Sequence, residues 1–157
     1  MDIYLNNINF HAMYWPDGSG PVRSNTIVVC GTEDILNLLI ANLKTMKNEG
    51  KYSSCFITSS SIDYESFKFE TSSVPFKQIN MIYSKSPKEF DNLKIHPVST
   101  HLEILFNDLG AEALIKYFEK VVVPGYLELD DILQRSWYKA VDSNSYSMTA
   151  WPCMYVT

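Results

Sequence analysis

Cys30 is the side chain in this sequence best placed for nucleophilic chemistry. It closes the β-branched run Thr26-Ile27-Val28-Val29, and Gly31-Thr32-Glu33-Asp34 then opens a helix. A thiol in that position can draw on the unpaired amides of a helix N-terminus, which stabilise a thiolate. A phosphatase-type loop also needs an arginine soon after the cysteine to hold the phosphate, and residues 31–36 contain none. Glu33 and Asp34 would repel a thiolate there. The competing reading, a small structural thiol, is the ordinary fate of an isolated cysteine.

A second candidate is proton transfer at His101 and Glu103. In a strand, positions i and i+2 share a face and lie about 7 Å apart, close enough for two members of an acid–base site. The competing reading is a solvated face that carries a His and a Glu. His11 and His96 are far from this pair in the chain, and no HExxH or similar ligand spacing occurs. Cys30, Cys55 and Cys153 form no CxxC pair, so neither a zinc knuckle nor a disulfide framework is expected. GxGxxG, GxxxxGKS/T and GxSxG are absent, which removes the main nucleotide and hydrolase signatures. Ser59-Ser60-Ser61 has no suitable base nearby in sequence. No catalytic residue, metal or cofactor is therefore assigned.

Glu128, Asp130 and Asp131 lie beside Tyr126, Trp137 and Tyr138. Tyr and Trp serve as anchors in protein interfaces, while carboxylates steer and orient a basic partner. This group is the candidate partner-binding surface. The competing reading makes Asp130 or Asp131 a helix cap and packs the aromatics inside.

These residues need elements to hold them. Residues 3–10 read as a strand, Pro16-Asp17-Gly18-Ser19-Gly20-Pro21 as a turn, and 26–30 as a short buried strand. Together they suggest a first hairpin. Thr32 sits at an N-cap, and Glu33 and Asp34 complement the dipole of the first turn. Ile35, Leu39, Leu43 and Met46 recur at helical spacing, widened by Leu36 and Ile40, so a helix spans 33–48. Gly50 follows as its stop.

Strands are expected at 54–59, 64–70 and 77–83, and a loop over 85–99, which contains Pro87 and Pro97. Across 100–106, Leu102, Ile104 and Phe106 share one face, and His101, Glu103 and Leu105 the other. Asn107 or Asp108 caps a second helix over 108–121, with Leu114, Ile115, Phe118 and Val121 as its stripe. A third short helix is expected at 129–140 and a final strand at 145–156. Aligning Thr32 with Asn107 superposes Leu39 on Leu114, Ile40 on Ile115 and Leu43 on Phe118. Two related strand–helix units packed on one mixed sheet would give this echo; so would the few ways of writing an amphipathic helix.

The fold class is α+β: one domain over 1–157, with a mixed or mostly antiparallel sheet of about five to seven strands. The two main helices are expected on one face of that sheet. The length of 157 residues suits one domain, and 46% apolar residues with 10 Tyr, 8 Phe and 3 Trp supply its core. That composition excludes a disordered chain. No apolar run approaches the roughly 20 residues of a spanning helix. Met1-Asp2-Ile3-Tyr4 lacks the basic and apolar regions of a signal peptide, so a cytoplasmic protein is expected. Net charge is −5, and most of the acidic excess follows residue 100. Arg23 and Arg135 are the only arginines, whereas a nucleic-acid binder shows a basic stripe. Direct nucleic-acid binding is not expected, while a basic protein partner is compatible.

His101-Leu102-Glu103-Ile104-Leu105-Phe106-Asn107, followed by Gly110 and a helix through Phe118, resembles a segment of one family of bacterial polymorphic-toxin immunity proteins. There a strand of the type H-L-E-I-x-F-N leads into a helix of the type G-x-x-x-L-I-x-x-L-E; Leu114, Ile115, Phe118 and Glu119 fill the second pattern. The stretch 29–36 looks like the family's strand, glycine and acidic helix start. The histidine- and aromatic-containing end usual in the family has no clear counterpart in 122–157. The resemblance implies a cytosolic inhibitor that binds a cognate toxin tightly, with no catalytic residues to carry over. Many toxin domains are basic nucleases, for which an acidic aromatic patch is a sensible complement. The alternatives are a small enzyme using Cys30 or the His101/Glu103 face, and an adaptor domain unrelated to toxins.

Overall fold

Alternation with a period of two builds most of the structure, because one face of each sheet must be apolar to be buried. The computed structural model describes residues 4–6, 10–14, 16–17, 26–31, 33–50, 53–57, 74–122 and 144–152. In chain order these form β1 (Tyr4–Asn6), β2 (Phe10–Tyr14), β3 (Thr26–Gly31), α1 (Glu33–Glu49), β4 (Ser53–Ile57), β5 (Val74–Pro75), β6 (Gln78–Tyr83), β7 (Leu93–Val98), β8 (His101–Phe106), α2 (Asp108–Val122) and β9 (Ser147–Pro152).

The described strands divide between a five-stranded sheet, ordered β1-β4-β6-β8-β7, and a four-stranded sheet, ordered β5-β2-β3-β9. Both are mixed. In the first, β1 with β4 and β6 with β8 run parallel, while β4 with β6 and β7 with β8 run antiparallel. In the second, β2 pairs antiparallel with β3 and β5, and β9 runs parallel to β3. The α+β class with two main helices is as the periodicity predicts; the strands belong to two sheets where one was expected.

The buried face of the five-stranded sheet is written in alternate residues: Ile79, Met81 and Tyr83 on β6, Leu93 and Ile95 on β7, and Leu102, Ile104 and Phe106 on β8. α1 adds Ile35, Leu36, Leu39, Ile40, Leu43 and Met46; α2 adds Ala111, Leu114, Tyr117 and Phe118. Ala12, Ile27, Val29 and Met148 bring the four-stranded sheet into the same continuous cluster. Each large side chain buried there is worth about 1.5–3 kcal/mol against exposure. The helices lie antiparallel, since Lys44 pairs with Glu119 at 3.4 Å and Lys47 with Glu112 at 2.7 Å. These pairs are partly exposed and add little stability.

Local chemistry stops α1 and starts α2. Gly50 has φ 65° beyond the last turn of α1, the left-handed position that glycine fills without strain. The Gly110 N–H donates to Asn107 Oδ1 at 3.0 Å, which makes Asn107 the N-cap of α2. The Asn107 N–H and side-chain amide donate in turn to the Asn92 backbone carbonyl at 3.0 Å and to Asn92 Oδ1 at 2.9 Å. Asn92 itself is held at φ 48°. A Cβ on Gly110 would overlap the Asn92 carbonyl oxygen and come within 2.9 Å of Phe106 Cβ. Only glycine lets the first turn of α2 sit this close.

Three sequence expectations need correction. Residues 3–10 are not one strand: β1 joins the five-stranded sheet and β2 the other, so the strand paired with β3 is Phe10–Tyr14. The loop expected over 85–99 contains β7. Pro97 suggested a break, yet β7 is an edge strand, and Ile95 turns its N–H outward to Ser145 Oγ at 2.7 Å. By alternation the missing N–H of Pro97 also points away from β8, where it removes no ladder bond. The third correction is the two-sheet division. The expected strand at 64–70 and helix at 129–140 lie outside the described residues.

Backbone bonds tie the two sheets together at two places. Phe76, between β5 and β6, is buried, and its N–H donates to the Ala12 carbonyl at 2.9 Å. Tyr146, leading into β9, donates its N–H to the Ile95 carbonyl at 2.7 Å. Tyr14 stands between them, stacked on Phe76 at 5.3 Å and edge-on to Tyr146 at 6.1 Å.

Candidate functional site

Because Leu102, Ile104 and Phe106 point into the core, His101, Glu103 and Leu105 must point to the opposite face of the sheet. Register then decides their neighbours. Asn80 on β6 pairs with Glu103, and Gln78 with His101. On the other side β7 places His96 opposite Glu103 and Val98 opposite His101. Gln78, Asn80, His96, His101 and Glu103 therefore share one face, and all five are only partly buried.

Two contacts order this face. Gln78 Nε2 donates to Asn80 Oδ1 at 3.0 Å. His96 Nε2 lies 3.5 Å from Glu103 Oε1, with the two side chains 25% and 21% exposed. His96 Nδ1 is buried and has no hydrogen-bond partner among the described residues. Thus the carboxylate at Glu103 engages His96, from the neighbouring strand, as well as sharing a face with His101. Sequence spacing hid His96, because six intervening residues and a hairpin turn at Ser99, φ 56°, separate it from Glu103. The legible signal was the alternation Leu93-Lys94-Ile95-His96, which Pro97 interrupts.

Cys55 occupies the same row as Asn80, Glu103 and His96. It is buried, and β6 separates β4 from β8. Two strand spacings put Cys55 about 10 Å from Glu103, too far for a thiol–base contact. Cys30 lies in β3, opposite His11 on β2 and Trp151 on β9. α1 begins at Glu33, and Glu33 and Asp34 occupy its first turn, as the sequence suggested. Among the described residues no three His, Cys, Asp or Glu side chains are grouped as metal ligands. Tyr126, Glu128, Asp130, Asp131, Trp137 and Tyr138 all lie outside the described residues.

Asn42, which no sequence motif marks, sits within the apolar stripe of α1 and is 6% exposed. Its Nδ2 donates to Ser54 Oγ at 2.8 Å and lies 3.4 Å and 3.6 Å from the sulfurs of Met46 and Met81. Its Oδ1 is buried without a partner among the described residues. Asn42 is thus a polar link between α1 and the buried face of the five-stranded sheet.

The segment from His101 to Gly110 separates cleanly into two roles. Leu102, Ile104, Phe106, Asn107 and Gly110 are fixed by burial, capping and close approach; His101 and Glu103 are turned outward. No family model, curated protein or solved structure matches the chain. No helix among the described residues is long and apolar enough to cross a membrane.

Proposed function

We propose that this chain is an immunity-type inhibitor, which binds a cognate bacterial toxin domain in the cytoplasm and neutralises it by occlusion. The observation that carries the reading is the outward half of the resembling segment. His101 and Glu103 stand with Gln78, Asn80 and His96 on one sheet face whose reverse is locked into the core. Contacts within that face hold polar groups in place before any partner arrives, which lowers the entropy lost on binding. The acidic and aromatic group at Tyr126, Glu128, Asp130, Asp131, Trp137 and Tyr138 is proposed as a second part of the partner surface, suited to a basic toxin such as a nuclease.

The test is survival. Cells expressing the product of the neighbouring gene should die alone and live when this chain is co-expressed. A harmless neighbour, or killing that persists beside folded protein, removes the immunity reading.

A second reading, an enzyme using the outward face for proton transfer, is favoured by one observation, the approach of His96 Nε2 to Glu103 Oε1. The two readings separate on Glu103→Gln. Loss of a catalysed reaction with no change in toxin protection supports the enzyme, and weakened toxin binding supports the inhibitor.

A further inference from the structure

We draw no further inference here: the strongest candidate, the His96–Glu103 pair with His101 on the outward face of the five-stranded sheet, belongs to the surface already described, and nothing in the structure shows what covers that face.

Discussion

His96 and Glu103 face each other across the β7–β8 pair, with Nε2 3.5 Å from Oε1 and the opposite ring nitrogen, Nδ1, buried without a partner among the described residues. This arrangement selects one neutral tautomer. A proton on Nδ1 would be a buried donor lacking an acceptor, and would leave the Nε2 lone pair facing a carboxylate. The neutral ring is therefore expected to carry its proton on Nε2. Heteronuclear NMR of the ring nitrogens reads this directly, and a proton found on Nδ1 would overturn it. Glu103→Ala should relax the preference while lowering stability by less than about 1 kcal/mol, as cross-strand and partly exposed pairs do.

At the start of α2 the usual sign of a helix substitution should reverse. Gly→Ala inside a helix ordinarily stabilises by up to about 1 kcal/mol. At Gly110 the added carbon meets the Asn92 carbonyl oxygen and Phe106, so Gly110→Ala should destabilise by about 1–3 kcal/mol, as overpacking does. Asn107→Ala removes the cap and should lower stability by about 1 kcal/mol. Urea unfolding of both variants checks the order. A Gly110→Ala protein as stable as the parent would mean that the contact with Asn92 is wrong.

Asn42 and Ser54 should show strong coupling. Ser54→Ala alone leaves the Asn42 amide buried with only thioether acceptors, at a cost of about 1–3 kcal/mol. Asn42→Leu alone removes the donor but keeps the Ser54 hydroxyl, which can still donate to Met46 Sδ at 3.4 Å. The double variant replaces both polar groups with apolar ones and should recover much of the loss seen in Ser54→Ala. Four unfolding curves complete the cycle. Additive effects would show that the bond at 2.8 Å does not couple α1 to the sheet.

What was legible in the sequence was local. α1 and α2 announce themselves through apolar stripes, acidic first turns and a cap or glycine stop, all of which act within four residues. The inward–outward split of His101–Phe106 was equally plain from alternation. Sheet membership was not, because nothing in Tyr4–Asn6 says that it pairs with β4 while Phe10–Tyr14 pairs with β3. The same gap concealed His96. Its meeting with Glu103 depends on a hairpin whose turn residue, Ser99 at φ 56°, is a poor advertisement for a left-handed conformation. Asn42 was hidden differently: a polar residue among apolar ones reads as an interruption until its partner on another strand is known.

The two proposed parts of the partner surface should act on different rate constants. Asp130→Asn with Asp131→Asn removes the carboxylates proposed to steer a basic toxin, so association at low salt should slow by on the order of tenfold and lose much of its salt dependence. Dissociation should change little if these charges sit at the rim. On the outward sheet face, His101→Ala with Glu103→Ala truncates short-range contacts and should mainly speed dissociation. Trp137→Ala distinguishes anchor from core: an anchor speeds dissociation with folding stability kept, whereas a core ring lowers stability by about 3–5 kcal/mol. Binding kinetics and thermal unfolding must be measured on the same variants, since a protein that fails to fold also fails to bind. If the toxin is neutralised but neither pair of substitutions alters its association or dissociation, both proposed surfaces are wrong and the inhibitor binds through another face.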